Sequence, residues 1–281
     1  MEDRLWSIVC MVVPSCKPRP RQHYSDREIH LVMLWAALHD RPMCWACQAE
    51  NWPTQRRPPR LPHPSTVSRR ARSEQMGKFL KTAHAMLRQH LSTNSETVII
   101  DGKPLLVSDY SRDPEVANGR SMRRWGRGYK LHAVVDMRGV VQAFEVLPLN
   151  VQERLAARRL LVDLPERVRR VFADGNYDSG PLHSVLEPLR RKLYTPLINN
   201  YASPRSHPRR RRLMRIMNHE IGIKIANARE HIERQFALMG NLGFGLKGLP
   251  NWVRRQHRVE RWISHKLLLY HAWKLYQFIN A

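Results

Sequence analysis

Apolar residues recur with two different periods along the chain, and the period changes near residue 97. Before that point the apolar positions follow a helical period. Ser25 and Glu28 have the spacing of a capping box, and the apolar series that follows predicts a helix over residues 25–39. Residues 52–64 are rich in proline, which excludes a continuous helix. The pattern therefore predicts a compact helical region that ends in an extended connector.

Short β-branched runs begin at residue 97 and predict strands. Four such runs stand out, at residues 97–101, 129–135, 140–146 and 169–174. Gly139 permits the positive φ of a tight hairpin between the second and third runs. A helix is predicted over residues 151–163, with Asn150 as its cap. Three strands, a helix and a further strand indicate an α/β domain.

The rest of the chain predicts helices around one more short strand. Helices are expected near residues 181–191, 218–239 and 253–279, with the strand at 192–196. Within residues 218–239 one apolar stripe recurs with a helical period, formed by Ile221, Ile225, Ala228, Ile232, Phe236 and Met239. The arginine-rich residues 205–215 are interpreted as a loop.

Charge limits the partners of the chain. Its 281 residues include 48 lysines and arginines against 24 aspartates and glutamates, a formal net charge of +24. A field of that sign attracts polyanions, above all nucleic acid. No stretch has the length and apolar character of a membrane span, and we expect a cytoplasmic protein with no membrane partner.

Two basic segments are candidates for phosphate contacts. In the first, Ser65 or Thr66 caps a predicted helix that presents Arg69 and Arg70, as a DNA-facing helix often begins. The second is the run Arg209, Arg210, Arg211 and Arg212, for which we hypothesise a flexible clamp on the DNA backbone. A solvated basic surface is the simpler alternative for both segments. Trp125 lies between arginines and could stack on a base, although such an aromatic residue is more often packed.

All four cysteines, Cys10, Cys16, Cys44 and Cys47, lie in the first part of the chain. The spacing of Cys44 and Cys47 is compatible with zinc. Buried thiols are the more common reading of two unevenly spaced pairs in a reducing compartment.

Three carboxylates have the placement that phosphodiester chemistry needs. Asp101 and Asp174 each end a predicted strand, and Glu233 borders the buried stripe of a predicted helix. Cutting DNA requires an activated water and a stabilised leaving oxygen, and two magnesium ions held by carboxylates provide both. Arg229, one turn before Glu233, is placed to orient that carboxylate or to hold a phosphate. The alternative is that Asp101 and Asp174 only begin Asp-Gly turns and that Glu233 is a surface acid paired with Arg229.

At these residues the sequence resembles the DDE transposases of bacterial insertion sequences, in the assemblage that includes families four and five. Ile100-Asp-Gly-Lys103 resembles the strand of the first aspartate, and Ala173-Asp-Gly-Asn-Tyr-Asp-Ser179 that of the second. Arg127-Gly-Tyr-Lys-Leu-His132 resembles the next hairpin, and Arg229-Glu-His-Ile-Glu-Arg234 the helix of the final glutamate. The family often has a lysine or arginine before the tyrosine of the second motif, where this chain has Asn176.

The resemblance implies a ribonuclease-H-like mixed sheet flanked by helices over residues 93–281. Residues 1–92 would form a small helical DNA-binding region. Asp101, Asp174 and Glu233 would hold two Mg²⁺ or Mn²⁺ ions, and Arg229, Tyr177 and Lys130 would support the site or grip DNA.

The resemblance also implies the reaction and the partners. The chain would nick double-stranded DNA at transposon ends and join the 3′-hydroxyl to target DNA, as a homodimer on the bacterial nucleoid. The alternatives are a DNA-binding remnant without catalysis and a nuclease that does not transpose.

Overall fold

The chain divides into two compact units in its computed structural model, which describes residues 2–91, 95–121, 124–196, 207–217 and 220–280. The helical unit comprises Met1–Ser92, Leu242–Leu246 and Arg261–Ala281. The sheet unit comprises Thr93–Asn241 and Lys247–Glu260. The C-terminal segment thus clusters with the N-terminal helices, whereas the sequence grouped it with residues 93–281. The division into a DNA-binding and a catalytic domain stays a prediction.

Helices form the first unit: α1 (Glu2–Val12), α2 (Asp26–Leu38), α3 (Met43–Ala46), α4 (Pro64–Ala71), α5 (Glu74–His90) and most of α10 (Gln256–Ile279). The capping box of α2 is confirmed, because Ser25 and Glu28 exchange the expected hydrogen bonds. The predicted cap of α4 is wrong: His63 is the N-cap, and its ring accepts from the backbone N–H of Ser65. Proline at the first helical position fixes this start.

Aromatic rings and histidines fill the core of the helical unit. The rings of Trp35 and Trp52 stack with their centroids 4.6 Å apart, and Trp6 meets Trp35 edge-on at 5.0 Å. Four buried histidines, which we call the histidine core, lie on α2, α5 and α10: His30, His84, His265 and His271. Burial lowers the pKa of each of them, so they are neutral at pH 7.

Six strands form the mixed sheet of the second unit: β1 (Thr97–Leu106), β2 (Ala117–Ser121), β3 (Arg124–Asp136), β4 (Val141–Pro148), β5 (Arg170–Phe172) and β6 (Lys192–Tyr194). The long strand β3 pairs antiparallel with β1 on one side and with β2 and β4 on the other. β1, β5 and β6 run parallel. The predicted hairpin is confirmed, with Gly139 at φ 80° in its turn.

Helices α6 (Glu153–Val162), α7 (Gly180–Leu186), α8 (Pro208–Met217) and α9 (Glu220–Asn241) accompany the sheet. Leu160, Leu161, Leu182 and Leu186 pack with the strand residues in one buried core. Strands β1 to β4 pair antiparallel, and β5 and β6 follow in parallel to β1 with helices between them. This arrangement is the ribonuclease-H-like fold that the sequence predicted. Among the described residues, no helix has both the length and the apolar character of a membrane span.

Three local predictions need correction. Gln152, and not Asn150, is the N-cap of α6, and its side chain makes no capping bond. β1 does not end at Asp101 but continues to Leu106, because its pairing with β3 extends to Gly128. The predicted loop at 205–215 is α8 from Pro208 onward, with residues 205 and 206 outside the described part. Proline at a helix start and arginines after it favour a helix.

Candidate active site

The register of the sheet brings the two aspartates to the same edge. Ile99 on β1 is the parallel partner of Phe172 on β5. Asp101 lies two residues after Ile99, and Asp174 lies two residues after Phe172, so the two aspartates occupy equivalent positions along neighbouring segments of the chain. Because β5 ends at Phe172 while β1 continues, Asp174 leaves the sheet in a turn beside an Asp101 that is still in a strand. The turn alternative is therefore wrong for Asp101.

Helix α9 brings the third carboxylate to this edge. It packs against β1 and β5, with Ile232, Phe236 and Met239 buried. The side chains of Ile221, Ile225 and Ala228, the first half of the predicted stripe, lie outside the described residues. Glu233 is exposed, next to the buried Ile232, and lines the same cleft as the two aspartates. The cleft measures about 850 Å³, and the acids that line it are Asp101, Glu153, Asp174 and Glu233.

Local hydrogen bonds orient both aspartates. The backbone N–H of Gly102 donates to Asp101 Oδ1 at 2.7 Å. Asn176 holds Asp174 twice: its backbone N–H donates to Oδ1 at 2.9 Å and its side-chain amide to Oδ2 at 3.1 Å. Asp174 thereby caps the short 3-10 turn Gly175–Tyr177. Where the resembling family often carries a cation, this chain places an amide that orients the second aspartate.

Cationic side chains share the cleft with the acids: Lys103, Arg120, Lys130 and Lys247. Only Lys130 was a candidate from the sequence. Lys103 lies with its ammonium 6.0 Å from the centre of the Phe236 ring, and burial lowers its pKa. A desolvated ammonium attracts a phosphate more strongly than a solvated one. Lys103, Arg120 and Lys247 were not predicted, because they lie on β1, on β2 and in the segment after α9, and no local sequence pattern relates these three segments.

Glu153 is the acid that the sequence prediction missed. It is the first residue of α6 and forms an ion pair with Lys130, with Oε1 2.8 Å from Nζ. Both side chains are nearly buried, with exposed fractions of 13% and 12%. Because the chain has few acids, an acid at the start of a predicted helix could have indicated a site residue. Acids at helix starts are also common without a site, because a negative charge there stabilises the helix.

Tyr177, a predicted support residue, lies in the core and not on the surface. Its side chain is fully buried, and its hydroxyl has no hydrogen-bond partner among the described residues. Burial raises the pKa of Tyr177, and the negative charges of Glu153, Asp101 and Asp174 raise it further. Tyr177 therefore cannot reach DNA from this position, and it packs beneath the acids.

The arginine cluster is split by its contacts. Arg210 forms a bidentate ion pair with Asp178 at 2.8 to 2.9 Å, and Arg209 pairs with Glu187 at 3.1 Å. Arg211 and Arg212 are exposed. Two of the four arginines thus tie α8 to neighbouring segments, and two face solvent. The expected loop is wrong, whereas the contact of these arginines with DNA stays a prediction. The internal partners of Arg209 and Arg210 are distant in sequence, which is why the run looked like a free loop.

The remaining candidates differ in exposure. In the helical unit Arg70 pairs with Asp26 and donates to the backbone carbonyl of Tyr24, so its guanidinium has a structural role, whereas Arg69 is exposed. The side chain of Arg229 lies outside the described residues. Trp125 is 76% exposed, contrary to the packed position that the sequence favoured.

The donor set of the cleft fits divalent cations, because Mg²⁺ and Mn²⁺ prefer carboxylate oxygens. The buried Oε2 of Glu153, which has no hydrogen-bond partner in the described part of the chain, is consistent with such an ion. Within the described ranges, no three acidic, histidine or cysteine side chains already enclose an ion position. The cleft gathers the acids on separate elements, and none of the four cysteines belongs to such a group among the described residues.

Sequence comparison agrees with this geometry. The family described as "Transposase DDE domain" matches residues 92–271, well over half of the chain. The chain therefore belongs to the DDE transposase domain family. No curated protein matches it. Membership of this family supports a transposase role, which implies a DNA substrate.

Proposed function

We propose that this chain is a bacterial insertion-sequence transposase of the assemblage that includes families four and five. It cuts DNA at transposon ends and joins the freed 3′-hydroxyl to target DNA. The proposal rests on one observation above all, that Asp101, Asp174 and Glu233 line a single cleft on a ribonuclease-H-like sheet. The substrate is double-stranded DNA. A homodimer holds the two transposon ends, and the reaction takes place at the nucleoid.

In this proposal Asp101, Asp174 and Glu233 hold two Mg²⁺ or Mn²⁺ ions. Such ions activate a water or hydroxyl and stabilise the leaving oxygen when bound. The chain's own residues prepare the site. Gly102 and Asn176 fix the aspartate carboxylates, and placing the three acids on β1, the turn after β5 and α9 makes the geometry depend on the whole sheet unit.

The cations of the cleft have a complementary role. Lys103, Arg120 and Lys247 attract the phosphodiester backbone and lower the repulsion between DNA and the acids. The exposed Arg211 and Arg212 on α8 and Arg69 on α4 contribute phosphate contacts outside the cleft. Phosphate contacts of this kind give affinity without sequence specificity.

Metal-dependent nicking tests the proposed chemistry. With DNA carrying the element's own ends, Asp101→Asn, Asp174→Asn and Glu233→Gln should each lower the nicking rate by about a thousandfold or more, because each removes a ligand charge worth several kcal/mol in the transition state. DNA affinity should remain. Glu230→Gln is the matched control, since Glu230 is exposed on the same helix and pairs with Arg234.

Two outcomes would overturn the proposal. If the native chain binds the ends but never cuts them, it is a DNA-binding remnant. If it cuts but does not join pre-cleaved 3′-ends to target DNA in a strand-transfer assay, it is a nuclease.

A further inference from the structure

The ion pair of Glu153 and Lys130 lies against the strand that carries Asp101. A side chain at Gly102 would place its Cβ 2.7 Å from Lys130 Cδ and 3.4 Å from Glu153 Oε1. The first distance requires the side chain of Lys130 to shift, whereas the second is an ordinary van der Waals contact, so Lys130 occupies the space that glycine leaves open. The residue directly after Asp101 thus leaves room for the lysine that pairs with Glu153.

Glu153 uses only one of its two oxygens within the described part of the chain. Oε1 accepts from Lys130 Nζ, whereas the buried Oε2 has no hydrogen-bond partner there. A buried carboxylate oxygen without a partner is costly, so such an atom indicates a missing ligand. A lysine alone satisfies half of this carboxylate.

The surroundings of Tyr177 give a second, independent indication. Its fully buried hydroxyl also has no hydrogen-bond partner among the described residues. Glu153, Asp101 and Asp174 all act electrostatically on it. The same three carboxylates line the cleft, so Glu153 belongs to one group with the two aspartates.

We propose that Glu153 is an additional carboxylate ligand of the divalent-ion site, held in place by Lys130. This assignment rests on the proposed function, since it extends the site formed by Asp101, Asp174 and Glu233. Lys130 neutralises Glu153 and keeps Oε1 occupied, so that Oε2 is the oxygen that faces a cation. The lysine also repels that cation, because both are positive.

Replacing Glu153 and replacing Lys130 should have different effects on the affinity for Mn²⁺. Glu153→Gln should weaken Mn²⁺ binding by about tenfold or more, the size of effect that lost support at a metal site produces. Lys130→Met should leave Mn²⁺ binding unchanged or strengthen it, because a repelling charge is removed. If the pair served only to hold the fold, both variants would weaken Mn²⁺ binding alike.

The experiment is a titration of the full chain with Mn²⁺ in the absence of DNA, following free Mn²⁺ by electron paramagnetic resonance. Circular dichroism of each variant verifies the fold. Each single variant leaves one buried charge without its partner and could therefore misfold. The double variant Glu153→Gln with Lys130→Met has no such charge, so its Mn²⁺ binding can be measured even if a single variant does not fold. It should bind Mn²⁺ as weakly as Glu153→Gln. Glu145→Gln, which loses an ion pair with Arg159, is the control that should change nothing.

The outcomes separate this inference from the proposed function. If Glu153→Gln or the double variant binds Mn²⁺ as tightly as the native chain while Asp101→Asn loses binding, the role of Glu153 is overturned and the proposed function is not. Equal weakening in Glu153→Gln and Lys130→Met would also overturn that role. Binding that depends on Glu153 in a chain that never nicks DNA would overturn the transposition reaction and support the ligand assignment. A native chain that binds no Mn²⁺ would overturn both.

Discussion

The histidine core of the helical unit and the cleft of the sheet unit bury ionisable groups in opposite ways. In the histidine core, burial lowers the pKa values so far that the side chains are neutral and pack like aromatic residues. In the sheet unit, Glu153 with Lys130 at the cleft and Asp178 with Arg210 on α8 are buried as ion pairs. Burying charge is costly, and a fold retains it where the charge is used or fixes a geometry. The two regions should therefore respond to different perturbations.

Removing one partner of an ion pair should affect the sheet unit most. Arg210→Ala should lower the free energy of unfolding by about 3 kcal/mol, because it leaves the carboxylate of Asp178, which is 1% exposed, without this partner. Denaturant unfolding measures the change. Arg211→Ala, on the exposed face of the same helix, should change it by less than about 0.5 kcal/mol. Equal effects of the two variants would contradict the distinction between internal and surface arginines.

Acid should affect the histidine core instead. Burial lowers the pKa of His265 to about 4, and burial together with the positive charges of Arg88 and Lys274 lowers the pKa of His271 to about 3. An unfolded histidine titrates near 6.5, so below that pH the unfolded chain binds more protons than the folded one. Stability is therefore complete above pH 6.5 and falls towards pH 4.

Between pH 7.5 and 5 the loss should be about 2 kcal/mol for each of these histidines. Tryptophan fluorescence during denaturant unfolding follows the helical unit through Trp6, Trp35 and Trp52. His271→Phe should reduce the pH dependence, whereas replacing the exposed His23 with glutamine should not. A midpoint that does not change with pH would show that the core histidines are not held neutral.

The strands of the sheet differ in how far the sequence could predict them. Alternating β-branched runs predicted β1, β3, β4 and β5, because these strands are buried and their pattern is local. β2 was not predicted, since Ala117–Ser121 contains no apolar run and forms a strand by pairing with the first half of β3. α8 was missed for a different reason: its run of arginines was interpreted as a loop, although proline at a helix start and arginines after it favour a helix.

The site was predictable to the extent that its acids end apolar runs. Asp101 and Asp174 were found by that signal, and Glu233 by its position beside a buried stripe. Glu153 was not found, because its relation to Lys130 and Gly102 exists only once β3, α6 and β1 are assembled. Long-range pairing of this kind leaves no periodic pattern in a sequence.

The proposed site requires Asp101, Asp174 and Glu233 to hold a divalent ion together. Replacing Mg²⁺ with Fe²⁺, adding peroxide and ascorbate, and mapping where radicals formed at the bound ion break the backbone shows which residues surround that ion. Breaks are expected near residues 101, 174 and 233, and they should be suppressed by excess Mg²⁺ and lost in Asp101→Asn. Breaks confined to other parts of the chain, or breaks that persist unchanged in Asp101→Asn, would contradict the proposed site.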